Sequence, residues 1–385
     1  MHIELPPELE QMRAALRKFT EKELEPLAKK VDATGELPEE TLPLLAKHGY
    51  LSMRLPESVG GAGMGLFPYC LMLEEFSRSH RIFALIAGAG GGLTPIAIAK
   101  HGTDEQREKY LPGLMAGKLR TAFALTEPDA GSDNSAMKTR AEKTRNGWVI
   151  NGRKHYITSA HAADFVMVMA VTDPEKRTRG GVTAFLVDRG TPGFEITRID
   201  TTMGSAVVKL SELAFENCAV PEGAVVGQVG EGFRLAMASL NDGRMGIACS
   251  CIGVADRLLE MSIAHAKTRI TFGKPLAERQ AIQFMLADCA VELATARALT
   301  YETLRQIDAG KPIGTAASMC KLYCSEMVGH VADRAVQIHG GMGIVQSHTV
   351  ERFYRDVRHY RVGEGASEIQ RMIISRDLIK NGNWS

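Results

Sequence analysis

The sequence predicts an α+β protein, mainly α, built in three consecutive parts. These are an N-terminal α-helical domain over residues 1–119, a middle β domain of barrel or sandwich-like form over 120–230, and a C-terminal four-helix bundle over 231–385. Three observations carry that prediction. From about residue 5 to 118, apolar residues recur at three-and-four spacing. At residue 120 the period changes to short runs rich in Val, Ile, Phe and Thr between turn signals. After GQVGEGF (227–233), long amphipathic stretches return, the pattern of a helix bundle.

The elements follow in order. LEQMRAALRKFTEKEL, LPEETLPLLAKHGY, FPYCLMLEEFSRSH and DEQREKYLPGLMAGK each read as a helix, separated by Gly/Pro stretches such as PESVGGAGMG. In the middle part RTAFALTE, NGWVINGRKHYIT, DFVMVMAVT, GVTAFLVDR, FEITRID and VKLSELAFENCAV read as strands. Asn-Gly pairs at 146–147 and 151–152 are both hairpin-type signals. Helices are then expected at about 232–268, 276–309, 314–339 and 366–380.

Composition bounds the function. Lys and Arg number 46 against 45 Asp and Glu, a formal net charge of +1, so nothing electrostatic favours nucleic acid or a membrane surface. An anionic ligand must therefore be held by local groups. The N-terminus lacks a basic start followed by an apolar run, and no stretch reads as approaching the ~20 apolar residues of a membrane span. A bacterial cytoplasmic protein, or the mature form of a mitochondrial-matrix protein, is expected. Seven cysteines (Cys70, Cys218, Cys249, Cys251, Cys289, Cys320 and Cys324) are scattered without CxxC or His at ligand spacing, so they read as reduced core residues and no metal is expected.

Two glycine-rich stretches need separating. GAGGGLT (88–94) lacks the third glycine of a dinucleotide fingerprint and lies between helices, and no GxxxxGK[ST] is present. ALTEPDAGSD (124–133) closes a strand, and its turn N–H groups with the Thr126 and Ser132 hydroxyls suit a polar ring edge and a pyrophosphate. A plain strand-ending turn fits that stretch equally well. Near the C-terminus, RVGEGASEIQR (361–371) sets Glu364 between Gly363 and Gly365 at a helix start, where a carboxylate is also favoured by the helix dipole alone. RITFGKP reads as a helix end capped by Gly, and QIHGGMG as a helix end followed by a turn. His339 and His348 read as satisfied or solvated histidines, and RDVRHYR (355–361) as a solvated or ion-paired face.

With these stretches in hand, the chain resembles the acyl-CoA dehydrogenase family along essentially its whole length. The motifs are ALTEPDAGSD, KHYITSA (154–160), RITFGKPLAERQAIQ (269–283), QIHGGMGI (337–344) and VERFYRDVRHYRVGEGASEIQR (350–371), in the family's order. The resemblance implies FAD, an acyl-CoA substrate and conversion to the trans-2-enoyl-CoA, with a proton leaving Cα and a hydride leaving Cβ. It assigns Leu125, Thr126, Gly131 and Ser132 to the flavin ring and pyrophosphate, Ser132 also to substrate, and Tyr156 and Thr158 to the ring face and N5. Arg269, Thr271, Phe272 and Gln280, with Gln337, Gly340 and Gly341, match segments that contact the ADP half of FAD from a neighbouring subunit. Ala366 and Glu368 fall beside the flavin in the last motif, Ala366 replacing a common Thr. A homotetramer (dimer of dimers) and an electron-transferring flavoprotein as acceptor are implied as well.

Glu364 matches the family's usual base. Some relatives carry the base on an earlier helix at the position of Gly243, which cannot abstract a proton. Asn241 replaces a frequent Asp that accepts from the pantetheine arm, and Arg244 is retained. Gly363 stands where a bulky Tyr is usual, which opens volume for a short, branched or cyclic acyl group, while Gly365 aims the base. An acyl-CoA oxidase, an enoyl-CoA reductase running the chemistry backwards, and a catalytically silent binding or assembly relative share these features and remain open.

Overall fold

The computed structural model describes residues 4–346 and 348–382. α1 (Pro7–Phe19) runs through a π-type turn into α2 (Glu25–Thr34), followed by α3 (Thr41–Lys47), α4 (Leu66–Ser77), α5 (Arg81–Gly90), α6 (Leu93–His101) and α7 (Asp104–Met115). α7 opens on a capping box in which Thr103 and Gln106 exchange side-chain and backbone hydrogen bonds. α4 is buried nearly all round, as its apolar run LFPYCLML requires. Its first N–H groups, Leu66 and Phe67, donate to the Asp308 carboxylate of the distant bundle at 3.0 and 3.1 Å.

One sequence expectation needs correcting here. Arg81–His101, 21 residues containing an 18-residue window of mean hydropathy 1.9, is long and apolar enough by composition to cross a membrane. The run breaks into α5 and α6 at Gly91 and Gly92, and Ile82, Phe83, Ile96 and Ile98 are buried inside the fold, the behaviour of core helices. The glycines of GAGGGLT serve packing: a Cβ at Gly90 would lie 2.4 Å from the Leu51 carbonyl oxygen, and one at Gly91 2.6 Å from the Tyr69 ring.

The middle part holds β1 (Thr121–Ala124), β2 (Arg140–Thr144), β3 (Gly147–Thr158), β4 (Phe165–Val171), β5 (Val182–Asp188), β6 (Phe194–Thr201), β7 (Lys209–Pro221) and β8 (Val225–Val226). Strand order is β6-β7-β3-β2-β4-β5-β8, with β1 parallel to β4. β2 meets β4 only through the Arg140/Val171 pair, so two layers fold over a core of Ile150, Val168, Phe185, Leu213 and Phe215. Asn146-Gly147 does lie at the β2–β3 hairpin. Asn151-Gly152 does not form a second one. It makes a bulge inside β3, where a Cβ at Gly152 would meet Thr139 Oγ1 at 2.5 Å.

The bundle consists of α8 (Gly232–Thr268), α9 (Gln280–Asp308), α10 (Ala316–His339) and α12 (Ser367–Asn381), with the short α11 (Thr349–Val357) added between the last two. RITFGKP is not a glycine-capped helix end: α8 stops at Thr268, and β9 (Ile270–Thr271) and β10 (Lys274–Pro275) form a two-stranded ribbon turning at Phe272 and Gly273, both at positive φ. The helical parts share one continuous apolar core, to which α4 gives Leu71 and Phe76 and α8 gives Cys249 and Ile252. The β domain docks through Gly204, whose missing side chain lets Asp356 approach and accept from Ser205 N–H at 2.8 Å.

Candidate active site

Glu364 lies in the turn that feeds α12. Its φ is +55°, a left-handed conformation unusual for a residue with a Cβ, and Gly365 follows at +89°. Two donors hold the turn from below. Gln370 Nε2 donates to the carbonyls of Glu364 and Gly365 at 3.2 and 2.9 Å, and Lys321 Nζ donates to the Gly365 carbonyl at 2.7 Å. A Cβ on Gly365 would lie 2.8 Å from Gln370 Nε2, so both conformation and space keep that position bare. Gly363 differs: a Cβ there meets only the His359 carbonyl, at 3.8 Å.

The Glu364 carboxylate lies against α8. Oε2 is 3.0 Å from where a Cβ on Gly243 would stand, so the two positions weighed for a base in the sequence lie side by side. Glu364 is exposed on the chain's surface, but the protein packed around its carboxyl group desolvates it and raises its pKa above the ordinary 4.5, while Arg244 and Lys321 pull it down. Arg244 Nη1 donates to Asn241 Oδ1 at 2.9 Å, so one acceptor site of the Asn241 amide is already engaged. Tyr69 of α4 lies close enough to Glu364 for the carboxylate to help raise its pKa. It donates to the Gly88 carbonyl at 2.7 Å, under the Arg54 guanidinium that pairs with Asp242 at 2.7 Å.

In the β domain, loop 124–133 is braced by a buried ion pair. Lys154 Nζ donates to Glu127 Oε1 at 2.7 Å and to the Leu125 carbonyl at 2.9 Å, and His155 N–H donates to the Thr126 carbonyl at 2.9 Å. Burial lowers the Lys154 pKa to about 8 against the pull of Glu127. This brings the loop bearing Leu125, Thr126, Gly131 and Ser132 onto the strand bearing Tyr156 and Thr158. Tyr156 sits at φ +56°, stacks on His155 with centroids 3.8 Å apart, and is 56 % exposed.

The remaining flavin candidates lie at the bundle's end. Phe272 tips the β9–β10 ribbon at φ +48° and 97 % exposure, with exposed Arg269 at its base and Gln280 opening α9. Gln337, Gly340 and Gly341 terminate α10 and are exposed. His265 of α8 stacks on His339 of α10 at 4.5 Å, which sets the two segments side by side. His339 bonds the Ala335 carbonyl and His348 accepts from Val350 N–H, as satisfied histidines. All seven cysteines are buried and free, and no metal-binding group occurs among the described residues. A cleft of about 740 Å³ between α9, α10 and α11, lined by Glu292, His330, Arg334, Tyr354 and Arg361, contains none of these candidates.

These features fit FAD. An exposed aromatic face stands beside a loop of turn N–H groups, and space is open above Gly131, Gly340 and Gly341 for close approach of a phosphate-bearing ligand. Of the six non-glycine residues at positive φ among the described residues, three are Tyr156, Phe272 and Glu364, each singled out by the sequence resemblance. Strained backbone concentrates where ligands bind. Sequence reading missed Lys321, Gln370 and the Lys154–Glu127 brace. A signal existed for both lysines, since Lys321 falls on the apolar stripe Ala317, Cys324, Val328, and Lys154 on the inward alternation Trp148, Ile150 of β3.

A three-part fold with a carboxylate held in a left-handed turn before the last helix, and a glycine-containing loop closing the first strand of the β domain, defines a class. The chain matches the family models for the N-terminal domain (residues 6–118), middle domain (122–218) and C-terminal domain (230–379) of acyl-CoA dehydrogenases. It belongs to the acyl-CoA dehydrogenase family of FAD-dependent, flavin-linked oxidoreductases. It is 39 % identical over 382 residues to an acryloyl-CoA reductase (NADH) of Anaerotignum propionicum, covering 99 % of this chain and 96 % of that one. It is 40 % identical over 370 residues to the CarC subunit of the caffeyl-CoA reductase-Etf complex of Acetobacterium woodii, covering 96 % and 97 %. The butyryl-CoA dehydrogenase structure from Megasphaera elsdenii superposes with a TM-score of 0.91 at 34 % identity, over 98 % of this chain and all of that one.

Proposed function

We propose that the protein dehydrogenates an acyl-CoA thioester between Cα and Cβ to the trans-2-enoyl-CoA, with Glu364 removing the Cα proton. The placement of Glu364 carries this reading: a carboxylate of raised proton affinity, fixed in a strained turn against α8, with Arg244 beside it. A Cα–H is so weak an acid that its removal needs a base in contact and a polarised thioester carbonyl. The Glu364 N–H, presented by the same turn, is assigned to the thioester oxygen. Bound FAD supplies the acceptor for the hydride leaving Cβ. Leu125, Thr126, Gly131, Ser132, Tyr156, Thr158, Ala366 and Glu368 are assigned to the flavin end. Ser132, Asn241, Arg244, Gly363 and Gly365 are assigned to the substrate.

Arg269, Thr271, Phe272, Gln280, Gln337, Gly340 and Gly341 are assigned to the ADP half of FAD bound by a second copy, within a homotetramer. A phenylalanine 97 % exposed at a ribbon tip, followed along α9 by Phe284 and Val291 at 59 % and 67 %, supports that assignment. An electron-transferring flavoprotein is the proposed acceptor, in keeping with the relative whose name places it in a complex with Etf. Purified protein is expected to be yellow and to bleach anaerobically with acyl-CoA. A colourless protein that takes up no FAD ends this reading.

A second reading, catalysis in the reductive direction, is favoured by the acryloyl-CoA and caffeyl-CoA reductases among the relatives. The same residues serve it, with Glu364 returning the proton to Cα. Reduction of enoyl-CoA by chemically reduced enzyme, set against bleaching by acyl-CoA, determines which direction dominates, and peroxide yield in air identifies an oxidase.

Gly363 is assigned to acyl-group choice. Since a Cβ there has room and φ is ordinary, Gly363→Tyr is expected to fold normally and to fill space beside the reacting carbons. Bleaching by branched or cyclic acyl-CoA is expected to fall roughly tenfold or more, the scale of a clash of 1–3 kcal/mol, while short straight chains change little. Equal losses across the panel would remove Gly363 from specificity.

A further inference from the structure

We propose that Lys321 is a positioning residue for Glu364, its buried ammonium holding the Gly365 carbonyl and so fixing the left-handed turn that aims the carboxylate. The inference rests on Glu364 being the base. Lys321 is fully buried in the second turn of α10, and the Gly365 carbonyl, at 2.7 Å, is its hydrogen-bond partner. An ammonium carried into a helix-bundle core costs several kcal/mol unless strongly engaged, so a neutral residue would be the stable choice if packing alone were required. The neighbouring stripe residues Ala317, Cys324 and Val328 are of that neutral kind.

The target of the bond explains the choice. Glu364 and Gly365 both occupy left-handed φ, and the energy to hold a non-glycine residue there must come from surrounding contacts. Two buried side chains supply it. Gln370 lies on the same helix that the turn feeds and moves with it, whereas Lys321 is anchored on α10, a separate rigid element. It thereby ties the position of the turn to the bundle. Its charge acts on the carboxylate as well, as one of two groups, with Arg244, that lower the proton affinity of Glu364 against desolvation.

The charged and titratable groups facing Lys321 are Arg244 and Cys251 from α8, Glu364 in the turn and Glu368 in α12, and its charge reaches His359 in the turn before. Those facing Glu364 are Arg244, Lys321 and Tyr69. Within that set, burial brings the Lys321 pKa down to about 8, so the clamp titrates within reach of ordinary assays.

The test uses FAD-loaded full-length enzyme and two variants, Lys321→Met, which removes donor and charge, and Lys321→Gln, which keeps a donor without charge. In the pH profile of flavin bleaching by acyl-CoA, the acid limb is expected to move to higher pH by about one unit in both variants, because an attractive charge near the carboxylate is gone. A second inflection near the Lys321 titration, present in the wild type, is expected to vanish. Hydrogen exchange of peptides covering 362–371, which reads the turn without turnover, is expected to quicken about tenfold in Lys321→Met and less in Lys321→Gln. Profiles that coincide with wild type, or unchanged exchange, overturn the proposal. Failure of both variants to fold assigns Lys321 to core structure and overturns it too. A wild type that no acyl-CoA bleaches ends the functional reading itself, a different result from an active wild type with unaltered variants.

Discussion

Replacing Glu364 with glutamine is expected to slow flavin bleaching by acyl-CoA about 10³- to 10⁴-fold while leaving FAD content and acyl-CoA binding nearly unchanged. Glutamine matches the carboxylate in shape and in its backbone requirement, so the turn, the Gln370 and Lys321 hydrogen bonds to backbone carbonyls, and the fit against Gly243 persist. Only the ability to take a proton is lost. The residual rate reports the contributions of orientation and of the thioester-oxygen donors, which do not depend on the side chain. Turnover within tenfold of wild type would remove Glu364 as the base and favour the catalytically silent alternative.

The pH dependence of the wild-type step follows from the same site. The folded-state pKa of Glu364 is raised, with burial the largest cause. A base must be deprotonated to act, so bleaching is expected to fall as pH drops through that raised value, beginning at higher pH than a free carboxylate with its pKa of 4.5 would allow. The stability term runs the same way in pH but opposite in sense. A carboxyl that binds its proton more tightly folded than unfolded contributes less to stability as pH rises through the shifted value, so activity and stability move in opposition across this window. Catalytic use of Glu364 thus carries a stability cost, consistent with a site held by strained backbone and buried donors.

What the sequence made legible, and what it left hidden, follows from the range of the interactions involved. Helix and strand periodicity is local, and so the three-part order and the four long bundle helices could be read directly. Flanking glycines marked Glu364 as a helix-start carboxylate, and only the family resemblance pointed to it as a base and told Gly363 from Gly365; the differing φ and free space of the two glycines give that separation a geometric counterpart. The second Asn-Gly misled because a bulge and a hairpin share the same local residue preference, and only the close approach of Thr139 decides between them. The glycine of RITFGKP misled similarly, since a left-handed glycine ends a helix or turns a ribbon equally well. Hidden altogether were the long-range polar ties. Lys321 to Gly365, Lys154 to Glu127 and Asp308 to the α4 N-terminus each join residues far apart in sequence, and a lone charge on an apolar stripe shows only that some partner must exist.

The same reasoning gives the largest expected effect on stability, at Glu74 and Arg297. Within LMLEEF, Glu74 and Glu75 are buried in the shared core. Glu74 accepts from Arg297 at 3.0 Å and from Tyr301 at 2.9 Å, and Glu75 accepts from Arg17 through two bonds of 2.9 Å, joining α1, α4 and α9. Burial raises the Glu74 pKa in spite of Arg297, whereas the same attraction holds the Arg297 pKa above its ordinary value, so desolvation and attraction oppose each other within the intact pair. Breaking it is another matter. Glu74→Met leaves the Arg297 guanidinium to Asp256 at 3.6 Å, and Arg297→Met leaves the buried Glu74 carboxylate to the Tyr301 hydroxyl, each costing about 3–5 kcal/mol. For a chain of this size that corresponds to a fall of roughly 4–6 °C in the apparent melting temperature. The double variant leaves no stranded charge and places two methionines in an apolar setting, so it is expected to recover at least half of the loss of either single change. Melting of wild type, both singles and the double, at one protein concentration and with saturating FAD, measures the cycle. Additive losses would show that the two charges do not act as a pair and would locate the cost in packing alone.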